Sequence, residues 1–308
     1  MAPRRFSYSR RDWARLRPLS HSFKGAVRSA VDAWYSRKPA ADPAEVAHVR
    51  QAIAGRTAGV IVAFNAPWAI ELQARACRRH LPDMVYAVGD NSSNPDAAAE
   101  IRAVCTALDL PYVRLPPNPS RAPSRSHGFA VNWIYRNVIR PAAPSIVALL
   151  DHDLFPVQPI DLAAKVADQP VFGLVLPHRF GGRVMRSGHT PWYLWPGYLV
   201  MDFAQVAPAQ PDFRQDWFSG MDTGGMMWRR LYWRLDRSHM RLLSQDEEIW
   251  HHVPVGEAAD GTPLEIVFSE MDGWVHSINA GEHVPAPAQK RAFIIDYVSR
   301  RAGLDANG

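Results

Sequence analysis

The sequence predicts an α/β protein with a mainly parallel sheet that is covered by helices on both faces. From about residue 42, apolar runs rich in β-branched residues alternate with helical patterns, which is typical of strands joined by crossover helices. Each run is apolar at consecutive positions, as in strands that are buried on both faces. The chain has 308 residues, of which 47% are hydrophobic and 21% charged, and this excludes a disordered chain or a coiled coil.

The predicted elements follow in a regular order up to residue 177. Asp42 is predicted to cap a helix that starts at Pro43, and Asn94 a helix that starts at Pro95. Strands are predicted at 59–64, 84–88, 111–115, 145–150 and 171–176, and further helices at 67–81, 127–139 and 159–168. Beyond residue 177 the pattern predicts only a strand near 197–202 and helices near 225–236 and 286–301. We therefore expect an irregular second half within one continuous domain.

The positive charge of the chain lies in its first 40 residues. This segment carries ten basic and two acidic side chains, a net charge of +8, which leaves 25 basic and 28 acidic residues for the other 268. Apolar residues recur there at spacings of three and four, namely Trp13, Leu16, Leu19, Phe23, Val27, Val31 and Trp34. We interpret residues 1–41 as a basic amphipathic arm and linker whose partner is an anionic membrane surface. The alternative is that its apolar side chains pack on the protein itself.

Other features of the sequence bear on partners and compartment. The sequence shows no recognisable nucleic-acid-binding fold beside the positive charge of residues 1–40, so nucleic acid is not an expected partner. The only cysteines, Cys77 and Cys105, exclude a disulfide framework and a cysteine-rich metal site. No apolar stretch approaches the roughly 20 residues of a membrane span, and the N-terminus lacks the apolar core of a signal peptide. We expect a cytoplasmic protein that the arm holds at the inner face of the cell membrane.

Two carboxylates, Asp151 and Asp153, follow the predicted strand 145–150 and are separated by His152. In a parallel sheet, ligands bind beyond the carboxyl ends of the strands. A hard cation such as Mn²⁺ or Mg²⁺ prefers oxygen ligands and commonly takes some of them from a phosphate-bearing substrate. The triplet therefore predicts a metal and diphosphate site, unless both carboxylates only cap the following turn.

Three further motifs precede this triplet. The first predicted strand ends in Phe64-Asn65, the second is followed by Asp90-Asn91-Ser92-Ser93, and Gly128 and Asn132 lie at the start of a predicted helix. In order and spacing, the four motifs together resemble the pattern of glycosyltransferase family 2 enzymes over roughly residues 58–180.

The resemblance implies the Rossmann-like GT-A fold in a single catalytic domain at 42–308. Within it we expect a nucleotide-sugar half at about 58–180, an acceptor half at about 181–285 and a C-terminal helix at about 286–302. The residues implied to bind the nucleotide sugar are Phe64, Asn65, Asp90, Asn91, Gly128, Asn132 and Asp151. Two of them have structural alternatives, because Asp90 could cap its own turn and Asn132 could hold the loop that contains Asp151.

The third metal ligand and the catalytic base are sought in the second half of the chain. His276 resembles the late histidine that many GT-A enzymes use as a metal ligand, although a histidine beside a tryptophan is often simply packed. An inverting transfer also needs a carboxylate that deprotonates the acceptor hydroxyl. Asp222 and the run Asp246-Glu247-Glu248 offer one, and we select Asp222, Asp246 and Glu247 as candidates. The alternative for each is a role in capping or in an acidic first helical turn.

These features predict a metal-dependent, inverting glycosyltransferase that uses Mn²⁺ or Mg²⁺. Its expected donor is a nucleoside-diphosphate sugar, and its expected acceptor is a glycan or a lipid-linked molecule. A sugar-phosphate nucleotidylyltransferase is excluded, because the first strand is not followed by a glycine-rich loop. The alternative function is a non-catalytic GT-A-like protein that binds a membrane surface or a partner.

Overall fold

The apolar runs become the strands of two sheets in the computed structural model, which describes residues 19–177, 191–216, 220–257, 263–278 and 287–304. The strands are β1 (Thr57–Ala63), β2 (Val85–Asp90), β3 (Tyr112–Arg114), β4 (Ile146–Asp151), β5 (Leu154–Pro156), β6 (Val171–Pro177), β7 (Trp192–Asp202), β8 (Ile249–Glu257), β9 (Pro263–Met271) and β10 (Trp274–His276). The helices are α1 (Leu19–Tyr35), α2 (Pro43–Ile53), α3 (Pro67–His80), α4 (Pro95–Ala107), α5 (Pro123–Ile134), α6 (Leu162–Lys165), α7 (Phe203–Val206), α8 (Met227–Arg230) and α9 (Pro287–Ala302). A π-helical turn, Tyr135–Ile139, and a last turn, Arg140–Ala142, continue α5.

The central sheet has six strands in the spatial order β3-β2-β1-β4-β7-β6. Strands β1 to β4 are parallel, whereas β7 is antiparallel to both β4 and β6. In β1, Ala63 lies beside Asp90 of β2, and Val62 lies beside Asp151 of β4. The register therefore brings the carboxyl ends of three neighbouring strands to one edge. This mainly parallel sheet confirms the predicted fold class.

Helices cover both faces of the central sheet. One face packs against the apolar side chains of α1, α2 and α5, including Tyr35 and Ile53. The other face packs against α3 and α4, including Ile70 and Ile101. The predicted caps are present: the side chains of Asp42 and Asn94 accept hydrogen bonds from the backbone two residues later. No helix within the described ranges is both long enough and apolar enough to cross a bilayer.

A second sheet, which the sequence analysis did not predict, is built from β5, β10, β9 and β8 in that order, all antiparallel. Strand β5 begins three residues after the end of β4, so the segment from Asp151 to Leu154 joins the two sheets. Asp272 and Gly273 have φ angles of +46° and +83° and form the tight turn between β9 and β10. One face of this sheet packs against α3 and α9 through Phe155, Phe268 and Val275. The other face adjoins the carboxyl edge of the central sheet.

Two predicted helices are much shorter than expected. The pattern at 159–168 yields only α6, and that at 225–236 yields only α8 followed by the 3₁₀ turn Tyr232–Arg234. In the first segment the side chain of Asp161 accepts the backbone N–H of Ala164 at 2.9 Å and caps the helix there, so residues 159–161 lie outside it. In the second segment, the fully buried Tyr232 stacks on Trp192 of β7 with ring centroids 4.8 Å apart. Packing of this ring on the sheet therefore determines the conformation of the segment, in place of the longer helix that its sequence pattern predicts.

Candidate active site

The structure brings Asp151, Asp153 and His276 together at the junction of the two sheets. Asp151 ends β4, Asp153 lies in the turn before β5, and His276 ends β10. One ligand atom from each side chain lies within 4.8 Å of the other two. Nε2 of His276 is 3.6 Å from Oδ1 of Asp153, and the two side chains are largely buried. The three residues that the sequence analysis predicted as metal ligands thus form one cluster.

Gln73 of α3 fixes the turn that carries the two aspartates. Its buried amide nitrogen donates to the backbone oxygen of Asp151 at 2.7 Å and to that of Leu154. Its amide oxygen accepts a hydrogen bond from the Tyr86 hydroxyl at 2.7 Å. The Ser277 backbone N–H donates to the Asp153 carbonyl at 2.9 Å and holds the turn beside β10. The sequence analysis missed Gln73, since a glutamine within an amphipathic helix gives no signal of a role 78 residues away.

The electrostatics of the cluster favour a bound cation. Burial, and to a lesser degree the neighbouring charge of Asp153, raise the pKa of Asp151 to about 6. His127 of α5 places Nε2 3.5 Å from Oδ1 of Asp151. Burial lowers the pKa of this histidine to about 4, although Asp153 and Asp222 oppose the shift. His127 is therefore neutral at neutral pH and does not compensate the two carboxylates.

Lys290, in the first turn of α9, is a buried cation near the same cluster. Its ammonium group donates to the backbone oxygens of Val267 at 3.2 Å and Ile278 at 2.5 Å. Burial lowers the pKa of Lys290, and the charge of Asp153 opposes this shift. The sequence analysis did not identify Lys290, because this residue comes close to the cluster only when α9 packs on the second sheet.

Strand β7 supplies the wall of the site next to Asp151. A Cβ atom on Gly197 would lie 2.4 Å from Oδ2 of Asp151 and 2.2 Å from the ring of Trp195. Only glycine therefore allows both side chains to approach this strand so closely. The Trp195 ring is 4.6 Å from the His276 ring, centroid to centroid, at an interplanar angle of 44°. Trp195 thus packs against the ring of the histidine.

Asp90 lies at the predicted edge of the sheet, but its carboxylate is fully buried. Oδ1 accepts the backbone N–H of Ser92, and Oδ2 accepts the Tyr112 hydroxyl, both at 2.8 Å. Arg114 completes the group with an ion pair at 2.9 Å. The Asp90 carboxylate therefore caps the turn after β2, which is the alternative role that the sequence analysis gave it. A direct contact of Asp90 with a nucleotide stays a prediction.

Asn65 and Asn91 line the same edge. Asn65 has a φ of +51°, and its side-chain oxygen accepts the backbone N–H groups of Ser93 and Asn94 at 3.0 Å. Asn91 donates to the Ser126 hydroxyl at 3.0 Å and so connects β2 to the first turns of α5. The ring of Phe64 is 39% exposed at this edge. Of these predicted donor-binding residues, Phe64 is the one with the most surface available to a ligand.

Gly128 and Asn132 serve packing within the described structure. A Cβ on Gly128 would lie 3.2 Å from the backbone oxygen of Phe213, so the glycine allows α5 to approach that segment. The Asn132 amide donates to Asp32 at 3.0 Å and to Asp212 at 3.1 Å, and its oxygen accepts the Phe213 N–H at 2.8 Å. Asn132 is fully buried, and each of its polar atoms has an internal partner. A contact of Asn132 with a nucleotide sugar stays a prediction, because both polar atoms of its side chain already have partners in the protein.

Asp222 lies next to α5, whereas Asp246 and Glu247 form an exposed turn. Oδ1 of Asp222 accepts hydrogen bonds from Gln215 at 2.7 Å and from the Thr223 backbone at 2.8 Å, and Oδ2 accepts one from Ser124 at 3.3 Å. Glu247 instead closes a capping box, because its carboxylate accepts the Ser244 backbone N–H at 2.8 Å. Asp246 is exposed in the same 3₁₀ turn.

The face of the second sheet that carries His276 also carries a further carboxylate and, on its edge strand, an exposed tryptophan. His276 lies opposite Ser269, and Ser269 lies opposite Trp250, so all three share one face. Glu248 precedes Trp250 by two positions, and its carboxylate accepts the Ser269 hydroxyl at 2.7 Å. The Trp250 ring is 52% exposed. Strand spacing places Trp250 about 10 Å from His276.

Comparisons with known proteins give likeness in structure only. No family model matches the chain, and no curated protein matches its sequence. Solved glycosyltransferases are among the structures that it resembles. The galactosyltransferase LgtC, solved with donor and acceptor sugar analogues, aligns over 80% of this chain and 95% of its own at 13% identity, with a TM-score of 0.46.

Two of the other similar structures were solved with Mn²⁺ and a nucleotide sugar. Glucosyl-3-phosphoglycerate synthase from Mycobacterium tuberculosis, with UDP-glucose, aligns over 88% of this chain and 87% of its own at 16% identity and a TM-score of 0.37. The mannosyltransferase PcManGT from Pyrobaculum calidifontis, with GDP-mannose, aligns over 60% of this chain and 56% of its own at 14% identity and a TM-score of 0.35. This likeness concerns the fold alone.

Proposed function

We propose that the protein is a metal-dependent glycosyltransferase that transfers a sugar from a nucleoside-diphosphate donor. The observation that carries this proposal is the cluster of Asp151, Asp153 and His276 at the carboxyl edge of the parallel sheet. This is the edge at which ligands bind in such sheets. The exposed Phe64 and the turns after β1 and β2 lie along the same edge and would border the nucleoside.

The residues of the cluster fit Mn²⁺ or Mg²⁺. The two carboxylates suit either ion, whereas the imidazole suits Mn²⁺ better than Mg²⁺, and three protein ligands leave positions for diphosphate oxygens. Nε2 of His276 faces Asp153 at 3.6 Å, beyond hydrogen-bond distance, so this nitrogen can offer its lone pair to an ion. When bound, the cation would neutralise the diphosphate and stabilise it as a leaving group.

The transfer itself requires a carboxylate that accepts the proton of the acceptor hydroxyl. As that oxygen bonds to the anomeric carbon, the bond from this carbon to the diphosphate breaks, and the nucleoside diphosphate leaves with the electron pair. We propose Asp222 as the base in an inverting reaction, because it lies near His127 and its Oδ2 makes one long hydrogen bond among the described residues. Glu248 is the second candidate, since its carboxylate accepts the hydroxyl of Ser269, the residue opposite His276.

The acceptor would bind at the exposed edge of the second sheet, beside Trp250. Trp250 offers an exposed aromatic face about 10 Å from His276, and the C–H face of a pyranose packs well on such a surface. Trp195 packs against the ring of His276. We therefore propose a glycan or the sugar part of a lipid-linked molecule as the acceptor.

The experiment measures binding of UDP and GDP, and hydrolysis or transfer of their sugars, with Mn²⁺, with Mg²⁺ and with EDTA. We expect one nucleotide to bind only with a divalent cation, and its sugar to be released or transferred. Asp153→Asn should abolish both properties. The exposed Asp168→Asn is the matched control and should change neither. Metal-dependent binding without any turnover across the donors tested would instead favour the non-catalytic alternative.

Four variants then identify the base: Asp222→Asn, Glu248→Gln, Asp246→Asn and Glu247→Gln. Loss of a base should lower turnover by about 10²- to 10⁴-fold while nucleotide affinity and melting temperature stay nearly unchanged. We expect this for Asp222→Asn. For Glu247→Gln we expect a small loss of stability instead, as its carboxylate caps a turn. Normal turnover in all four variants would contradict a carboxylate base at these positions.

A further inference from the structure

Helix α1 is fixed to the protein by a buried polar network. Asp32 is 1% exposed, and its carboxylate pairs with Arg136 at 2.8 Å and accepts a hydrogen bond from Asn132 at 3.0 Å. The fully buried Tyr35 donates its hydroxyl to the backbone oxygen of Pro116 at 3.0 Å. Because a buried carboxylate would be left unpaired by any rotation of the helix, these contacts determine which face of α1 points outward.

The outward face of α1 is apolar. Phe23, Val27 and Trp34 are 75%, 48% and 52% exposed, and they are three of the six large hydrophobic side chains that are exposed among the described residues. At about 100° per residue, the three fall within a stripe of about 40°, and Asp32 lies about 180° from Phe23. The anchoring face and the exposed apolar stripe are therefore on opposite sides of the helix.

Cations surround this stripe. Lys24 lies on α1, and Arg37 and Lys38 follow it; the ammonium group of Lys38 is 3.9 Å from the Trp34 ring. In the sequence, residues 1–40 contain ten basic and two acidic side chains, and one of those two acids is the inward-facing Asp32. Among the described residues, Lys24, Arg37 and Lys38 therefore bring positive charge to this part of the surface.

We infer that the apolar stripe of α1 lies in the interface of an anionic membrane, with the basic residues at the lipid phosphates. Exposed aromatic and aliphatic side chains flanked by lysine and arginine suit this environment, because the rings enter the acyl boundary while the cations meet anionic headgroups. This inference does not rest on the glycosyltransferase activity, and its test measures lipid binding alone. The apolar residues Val31 and Tyr35 do pack on the body, as the alternative expected, but Phe23, Val27 and Trp34 do not.

The test is co-sedimentation of the full chain with vesicles of phosphatidylcholine alone or with about 30% phosphatidylglycerol. We expect binding to be at least about tenfold tighter with the anionic lipid, and to weaken when salt rises from about 0.1 M to about 0.5 M. The double variant Phe23→Ser/Trp34→Ser should bind about tenfold more weakly and melt like the parent, since both side chains are exposed. Ile249→Ser is the matched control, because Ile249 is 61% exposed on β8 and should leave lipid binding unchanged.

Three results would overturn the inference. Equal affinity for neutral and anionic vesicles, or no binding to either, would exclude an anionic membrane as the partner. Unchanged binding in the double variant would mean that charge alone attaches the protein and that the stripe has no part in it. A dimer in light scattering that dissociates in the double variant, without vesicle binding, would show that a second copy covers the stripe.

Discussion

Asp151→Asn should stabilise the metal-free protein while it removes metal binding. The wild-type carboxylate is ionised at about pH 8 in both the folded and the unfolded chain. In the folded protein, burial and the adjacent charge of Asp153 disfavour that ionised form and raise the pKa of Asp151 to about 6. Asparagine has nearly the same shape and no charge, so the substitution removes this unfavourable ionisation.

The size of the effect follows from the difference between the two pKa values. A rise from 3.8 to about 6 corresponds to about 3 kcal/mol at alkaline pH. Because one fifth of the side chain is exposed, solvent screening reduces this to about 1–3 kcal/mol. The folded state binds the proton more tightly, so the stability of the metal-free wild type falls as pH rises from about 4 to about 6. The advantage of the variant should therefore be full near pH 8 and fall to about half near pH 5.

Urea denaturation in EDTA at these two pH values measures the effect, and Mn²⁺ titration measures the accompanying loss of metal binding. At about 2 °C per kcal/mol, a melting temperature higher by about 2–6 °C is the corresponding thermal result. Asp168→Asn is the control, since neutralising this exposed carboxylate should change stability by no more than about 0.5 kcal/mol. If the variant is no more stable than the wild type near pH 8, the ionised Asp151 carboxylate does not destabilise the metal-free protein and the reasoning is refuted.

Three further substitutions separate positioning from packing. Gln73→Leu leaves the Tyr86 hydroxyl and two backbone oxygens without partners, so it should cost about 2–5 kcal/mol in urea unfolding and weaken Mn²⁺ binding about 10- to 100-fold. Gly197→Ala should weaken Mn²⁺ binding at least about tenfold in the same titration, because the new methyl group would displace Asp151. Asn132→Ala should cost about 2–4 kcal/mol of stability yet leave Mn²⁺ and nucleotide affinity unchanged; a selective loss of nucleotide affinity would restore its predicted role in donor binding.

The central sheet could be predicted because its signal is local. Strands buried on both faces produce apolar runs, and the caps Asp42 and Asn94 mark where helices begin. Once the order of strands was read, Asp151 and Asp153 followed from their place after β4. His276 was predicted by resemblance, and the structure explains its place through the pairing of β10 with β5.

The second sheet could not be found from the same signal. Its edge strand β8 is half exposed and contains histidines, a proline and a glycine, so it has little apolar contrast. One cue was present: Asp272-Gly273 between two apolar segments is a strong sign of a two-residue hairpin. Reading that cue would have predicted β9 and β10 around it.

The residues that support the site were beyond sequence reasoning for a different reason. Gln73, Lys290 and Gly197 act through contacts between elements far apart in the chain, and each is an unremarkable residue within its own element. Asp90 shows the converse case. It has the residue type and position of a ligand, but Tyr112 and Arg114, which engage its carboxylate, become its neighbours only after β3 pairs with β2.

The central claim is that Asp151, Asp153 and His276 hold the divalent cation through which a nucleoside diphosphate binds. Electron paramagnetic resonance of Mn²⁺ tests it directly, because it counts bound ions with and without UDP or GDP. We predict one bound Mn²⁺ per chain, with an affinity that rises when the correct nucleotide is added, and a loss of both in Asp153→Asn and in His276→Ala. Unchanged Mn²⁺ binding in both variants, or nucleotide binding that is equally tight in EDTA, would contradict the account.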